Sequence, residues 1–206
     1  MVYFVCLAVG YLIGSFPTAY LFVKRKFKID IRDAGSANVG ARNAYEVTRS
    51  GIVGLIILII DFLKGILSVY LCSFFIGENI TMTAACGGIG AITGHIFSPW
   101  LGFKGGRGLA TTAGVMLMFG WIYIVIWLLF YFLFNIYLKQ VNLSSIVASI
   151  VSPVVILLLP DKVVFSFFIP DAERYEIVFI CFILSVIIII GHHGTIKDFI
   201  RKGKRI

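Results

Sequence analysis

A chain of 206 residues that is 60% hydrophobic and only 14% charged carries more apolar surface than one water-soluble core of this length can hide. An ordinary soluble domain is therefore excluded, and lipid becomes the solvent for most of the surface. The polar remainder is basic, 18 Lys and Arg against 10 Asp and Glu, which suits anionic headgroups or anionic small substrates; no nucleic-acid partner is expected.

Residues 2–23 form an apolar stretch of the length a helix needs to cross a ~30 Å hydrocarbon core. No Lys or Arg precedes it and Lys24-Arg25-Lys26 follows it, the reverse of a signal peptide, so a retained helix with its N-terminus outside is expected. Residues 24–51 carry seven Lys or Arg and are too polar to enter lipid; they read as the largest cytoplasmic loop. A second span follows at 52–76, then a short acidic turn at Gly77-Glu78-Asn79, then a third span at 80–97 rich in glycine and alanine.

After a loop at 98–108, the apolar run 109–138 would make a helix of ~45 Å, too long for one span, and two short helices meeting near Gly120 are expected instead. Spans at 143–159 and 175–190, separated by an outer loop at 160–174, return the basic tail (Lys197, Arg201, Lys202, Lys204, Arg205) to the cytoplasm. The expectation is an all-α, polytopic bundle of about seven transmembrane helices forming one membrane domain over 1–206. By this count 14 of the 18 basic residues fall in the three cytoplasmic segments 24–51, 98–108 and 191–206, which would share one face and form the active-site face. Cys6, Cys72, Cys86 and Cys181 sit singly in apolar runs without metal-ligand spacing and read as small buried hydrophobes, so no metal or cofactor is expected.

Three polar motifs lie in those segments. In Gly35-Ser36-Ala37-Asn38-Val39-Gly40-Ala41-Arg42-Asn43, paired glycines allow a tight turn that aims N–H groups at one point beside a hydroxyl, two amides and a guanidinium. That is either an anion-binding turn or a loop whose glycines only reverse the chain. Gly94-His95 closes the third span, and Gly102-Phe103-Lys104-Gly105-Gly106-Arg107-Gly108 follows directly before a helix at Leu109. Amides, a helix N-terminus and the cations Lys104 and Arg107 favour phosphate, headgroup anchoring being the alternative. No Gly-Lys-Ser/Thr closes this loop, so nucleotide hydrolysis is not indicated. Gly191-His192-His193-Gly194-Thr195 ends the last span and suits anion or proton handling, or a solvated helix end. Asp61 and Lys64, one turn apart in the second span, read as an internal ion pair, with support of a site as the sharper alternative.

These segments, together with Gly14-Ser15-Phe16-Pro17-Thr18-Ala19-Tyr20 and Asp61-Phe62-Leu63-Lys64-Gly65, resemble in order and spacing the bacterial acyl-phosphate:glycerol-3-phosphate acyltransferase family, over nearly the whole chain. The resemblance implies a seven-helix enzyme of the bacterial inner membrane, with its C-terminus and active site cytoplasmic. Such an enzyme moves a fatty acyl group from acyl phosphate to the 1-hydroxyl of glycerol 3-phosphate, giving lysophosphatidate and phosphate in phospholipid synthesis. It implies as partners both substrates, membrane lipid, and contact with the enzyme that makes acyl phosphate.

Carried over by position, Ser36 and Lys104 bind and orient phosphate, and His192 occupies the place of the histidine opening the third motif. Gly35, Asn38, Gly40, Asn43, Gly105, Gly106, Arg107 and Thr195 complete or support the phosphate sites, and His95 is a candidate base. An acyl phosphate is already activated, so alignment and oxyanion stabilisation are the chemistry required, with no Ser-His-Asp set.

Two departures stand out. The family has Ala-Thr-Asn where this chain has Ala41-Arg42-Asn43, and an arginine three residues on where this chain has Glu46. Its third motif reads His-Arg-Glu-Asn where this chain has His192-His193-Gly194-Thr195. Arg42 is expected to take the lost arginine's role. The alternatives are a divergent paralogue using another phosphorylated acceptor, or a non-catalytic lipid-binding or transport protein.

Overall fold

The computed structural model describes residues 1–74, 79–169 and 172–203. Among these the regular structure is helical throughout. The helices are α1 (Val2–Ser15), α2 (Thr18–Phe27), α3 (Ala41–Thr48), α4 (Gly51–Ser73), α5 (Ile80–Ile96), α6 (Leu109–Phe119), α7 (Ile122–Leu138), α8 (Val141–Leu158), α9 (Asp161–Phe167), α10 (Arg174–Gly191) and α11 (His193–Gly203), with one 3-10 turn at Pro99–Leu101. Five apolar helical stretches are long enough to cross a membrane, Val2–Phe27 counted as one, and α6 and α7 are shorter apolar helices. The break expected near Gly120 falls between Phe119 and Ile122.

Three expectations differ in detail. The span read as 2–23 is two helices, because Pro17 holds Phe16 at φ −58, ψ 121, outside the helical region. The stretch 24–51 contains α3, and the stretch 160–174 contains α9, which Pro160 and Asp161 open as a helix N-terminus. Residues 75–78, with Gly77 and Glu78 of the acidic turn, Asp171 of the outer stretch, and Lys204 and Arg205 of the tail lie outside the described residues.

Packing divides the chain into two compact units, residues 1–118 and 119–206. In the first, α1 lies on α5 through glycines spaced four apart on both helices. A Cβ on Gly10 or Gly14 would overlap the backbone of Gly87 or Ala91, and one on Gly90 or Gly94 would overlap the backbone of Leu7 or Tyr11. The same device seats α4 on α6, where Gly65 meets the Thr111 carbonyl and Gly114 the Phe62 carbonyl. Lipid offers helices little hydrophobic drive to associate, so close backbone approach is what holds them.

The polarity of this unit is that of a membrane protein. Asp61, Lys64, Ser68, Thr83 and His95 are buried, whereas Ile52, Leu55, Leu63 and Leu67 of α4 face outward. Cys6 and Cys72 are buried, the Cys72 Sγ donating to the Cys6 carbonyl at 3.5 Å.

The second unit packs α8 against α7 and α10. Trp127 Nε1 of α7 donates to Ser149 Oγ of α8 at 2.9 Å, and the hydroxyls of Tyr123 (α7) and Ser185 (α10) lie 2.7 Å apart. Ser145, Ser149 and Ser152 return their hydroxyls to carbonyls four residues back, which keeps their polar atoms satisfied inside the bundle. A capping box of Glu173 and Glu176 starts α10, and Arg174 Nη2 donates to the Leu157 and Leu159 carbonyls at the end of α8, each at 2.9 Å.

The glycine contacts give a direct test of packing. Gly14→Ala is expected to destabilise the detergent-solubilised protein by about 1–3 kcal/mol, because its methyl meets backbone that cannot move aside. Gly51→Ala, where nothing lies within 4 Å, is expected to be neutral or stabilising by up to about 1 kcal/mol. Thermal unfolding of the two variants beside the parent checks the contrast.

Candidate active site

In the first unit, the loop between α2 and α3 and the loop between α5 and α6 pack against each other. Each is held by a different kind of anchor.

The first loop is organised by Asn43, in the opening turn of α3 and 1% exposed. Its Oδ1 accepts the Ser36 N–H at 2.9 Å, and its Nδ2 donates to the carbonyls of Ile31, Ala34 and Asn38 at 3.2, 3.0 and 3.0 Å. One amide therefore reads the backbone at four points and sets the curvature of the whole turn. Gly35 has φ +58, and a Cβ there would overlap Asn43 Oδ1, so a side chain at this position is barred twice over. Ala37 also takes positive φ, 57°, which leaves Ser36 exposed at the apex. Asn38 is half-buried and Gly40 buried.

At the base of this loop Asp30 accepts from the Arg32 side chain at 2.9 and 2.7 Å, with Lys24 at 3.8 Å. The Arg32 bonds hold the Asp30 carboxyl well below the usual carboxylate range, and the same pairing raises Arg32.

The second loop leaves α5 by bonding back onto it. The N–H groups of Gly105 and Gly106 donate to the carbonyls of Ile96 and His95 at 2.8 and 3.0 Å. A Cβ on Gly105 would overlap the His95 carbonyl, and one on Gly106 would overlap His95 Nε2 and lie 2.8 Å from the Val39 carbonyl. Gly106 is thus where the two loops meet, its missing side chain letting Val39 approach from one side and His95 from the other. The amides expected to favour phosphate are engaged here, so these glycines contribute close approach. Gly102, Phe103 and Gly108 take positive φ of 61°, 62° and 82°, and Lys104 is exposed at the turn. Ser98 Oγ donates to the Ser15 carbonyl at 2.6 Å and Tyr11 to the Phe97 carbonyl at 2.7 Å, tying the loop's start to α1.

Arg42, read from sequence as a replacement phosphate ligand, pairs with Glu46 at 2.9 Å on the exposed face of α3. Half-buried Arg107 lies within electrostatic reach of both: burial and then the Arg42 charge lower its pKa, and Glu46 raises it. Two charged residues of α3 and one of the second loop therefore share one neighbourhood.

Beneath the second loop lies a cluster that the sequence identifies only in part. Lys64 Nζ donates to Asp61 Oδ1 at 2.7 Å and to the Phe16 carbonyl at 2.6 Å, and His95 Nδ1 sits 3.8 Å from Asp61 Oδ1. The i, i+3 spacing of Asp61 and Lys64 signals the pair; nothing local signals its approach to His95 or to the α1–α2 break. These residues, with Thr18, Val39, Ser98, Gly105 and Gly106, line a cavity of about 10 Å3, room for one water-sized molecule. Among the described residues Thr18 Oγ1 is buried without a hydrogen-bond partner.

The third motif belongs to the second unit. His192 is 1% exposed at the junction of α10 and α11, its Nδ1 2.8 Å from the Ile188 carbonyl. His193 and Gly194 are exposed and Thr195 is half-buried. Among the described residues no group of three or more His, Cys, Asp or Glu is placed to hold a metal ion.

The family model for glycerol-3-phosphate acyltransferase matches residues 4–202. The chain belongs to this family. It is 34% identical over 195 residues to the glycerol-3-phosphate acyltransferase of Mesorhizobium japonicum, covering 93% of this chain and 89% of that one. It is 41% identical over 151 residues to glycerol-3-phosphate acyltransferase 2 of Moorella thermoacetica, covering 73% and 76% respectively. It is 32% identical over 213 residues to that of Staphylococcus aureus strain Newman, covering 98% and 96%. The fold is similar to the crystal structure of PlsY (YgiH), an integral membrane glycerol 3-phosphate acyltransferase, in its glycerol 3-phosphate form. That match has a TM-score of 0.77 at 24% identity and covers 97% of this chain and 92% of that one. In this acyltransferase family member, then, the Ser36 and Lys104 loops sit on one shared contact at Gly106.

Asn43→Ala is expected to leave the buried Ile31 carbonyl without its donor and the Ser36 N–H without its acceptor, and to cost about 2 kcal/mol. It should also raise the KM for the phosphorylated acceptor more than it lowers kcat, since the loop loses its shape before any reacting group is touched. Steady-state kinetics and thermal unfolding on the same preparation check both effects.

Proposed function

We propose that the chain transfers a fatty acyl group from an acyl phosphate to the 1-hydroxyl of glycerol 3-phosphate, releasing lysophosphatidate and inorganic phosphate. The observation that carries this reading is the contact at Gly106, which places the Ser36 loop and the Lys104–Arg107 loop side by side on one unit of a member of this acyltransferase family. Both substrates are anionic, and the two loops offer Lys104, Arg107, Arg42 and the exposed Ser36 together.

The chemistry asks little covalent work of the protein. The acceptor hydroxyl oxygen attacks the acyl carbon, the bond from that carbon to the phosphate oxygen breaks, and the hydroxyl proton leaves with the phosphate. The rate gain comes from alignment and from positive charge aimed at the developing oxyanion. Lys104 and Ser36 orient the phosphates, and Arg107 sets the field around them. Arg42 approaches the acceptor's phosphate in the place of the arginine that Glu46 replaces, exchanging its exposed pairing with Glu46 for a phosphate pairing.

The positive charge bias puts the segments 24–51, 98–108 and 191–206 on the cytoplasmic side of a bacterial inner membrane, with the N-terminus outside. The basic loops there suit docking of the enzyme that supplies acyl phosphate.

Purified protein given palmitoyl phosphate is expected to release phosphate only when glycerol 3-phosphate is added, and Lys104→Ala is expected to lower that release by about 100-fold or more. No acceptor-dependent release from folded protein would overturn the reading, and a screen of other phosphorylated alcohols would then test for a different acceptor. Arg42→Ala is expected to raise the KM for glycerol 3-phosphate by about tenfold, matching one lost charge-assisted contact. An unchanged KM would remove Arg42 from the acceptor site.

A further inference from the structure

Charged side chains inside a membrane bundle are costly, and packing alone would be served as well by apolar residues of similar volume. The buried Asp61–Lys64 pair in α4 therefore calls for a reason beyond stability. Its contacts supply one. Lys64 reaches the Phe16 carbonyl, where Pro17 interrupts the helical backbone, and Asp61 faces His95 in the last turn of α5. His95 in turn carries the second loop: its carbonyl accepts the Gly106 N–H, and its ring edge lies against Gly106 so closely that no Cβ fits between them. Polar groups thus run from the α1–α2 break through α4 to the turn that presents Lys104, hydrogen-bonded except where Asp61 approaches His95 at 3.8 Å.

We propose that Asp61, Lys64 and His95 together act as positioning residues for the Lys104 loop. None of them touches substrate. Asp61 and Lys64 fix the rotation of the His95 ring, and the ring edge and carbonyl fix the height and direction of the Gly105–Gly106 backbone. Lys104 is the next residue in the chain and inherits that placement. The glycine pair is then explained by the ring it rests on, and the conserved-volume alternative, an apolar pair at 61 and 64, would leave the ring free to turn. The catalytic part of this inference rests on the acyltransferase reading; the structural part does not.

The test separates the two. Asp61→Leu/Lys64→Met removes both charges at similar volume without stranding either one, and His95→Gln, made separately, removes the ring. In the full-length protein in detergent, amide hydrogen exchange is read for Gly105 and Gly106 beside the amides of α4 and α5, and kinetics are read with and without Lys104→Ala. The expected result is exchange at Gly105 and Gly106 faster by about tenfold or more with the helices unchanged. KM should rise about tenfold with kcat within about threefold, and the added Lys104→Ala should cause less further loss than it does in the parent, because both changes act through one group.

If exchange at Gly105 and Gly106 is unchanged in either folded variant, or rises evenly along the whole unit, the three residues are only structural and the proposal fails. If neither variant folds, the three residues are needed for the fold itself, and that too overturns a role confined to the loop. Inactive parent protein would refute the acyltransferase reading, while the exchange data would still decide whether the loop is positioned in this way.

Discussion

Close backbone approach at glycine is the constraint on which the rest of this molecule depends. Within lipid, helices are not driven together by the exclusion of water, so association rests on how near their backbones come. Here Gly10 and Gly14 on α1 and Gly90 and Gly94 on α5 remove the side chains that would hold those helices apart, and Gly65 and Gly114 do the same between α4 and α6. The same rule governs the functional region, because Gly105 and Gly106 let the Lys104 loop lie flat on the end of α5. A packing device and a site-building device are thus one property of the chain used at two depths.

With the helices this close, the polar groups inside the first unit have little room for exchange. Asp61 and Lys64 answer each other at 2.7 Å, and Lys64 spends a second proton on the Phe16 carbonyl. Breaking one member of such a buried pair typically costs about 3–5 kcal/mol, much of it the penalty of the charge left behind. Asn43 plays the corresponding part in the outer loop with neutral bonds. The region therefore has a charged floor under one loop and a neutral scaffold inside the other.

Glu46 stands where the family resemblance leads one to expect an arginine. The structure shows what the carboxylate does at rest: it holds Arg42 along the outer face of α3 and partly offsets the lowering of the Arg107 pKa by burial and the Arg42 charge. Exposed pairs of this kind are weak, typically about 0.3–0.5 kcal/mol for i, i+4 neighbours, so little holds Arg42 in this pairing.

Composition and run lengths alone marked this as a helical membrane protein and showed where the long run 109–138 divides, because the bilayer fixes the length of any span. The segments around Ser36 and Lys104 were legible as turns, because glycine permits the positive φ found at Gly35 and Gly102. The span 2–23 was read as one helix; the break that Pro17 makes at Phe16, and the reach of Lys64 to the Phe16 carbonyl, came with the structure. Tertiary structure alone decided that Val39 and His95 flank Gly106, that the Gly105 and Gly106 amides bond to the end of α5, and that His95 stands over Asp61. The approaches of Val39 to Gly106 and of His95 to Asp61 join segments far apart in the chain, and the local pattern of residues carries no measure of that distance.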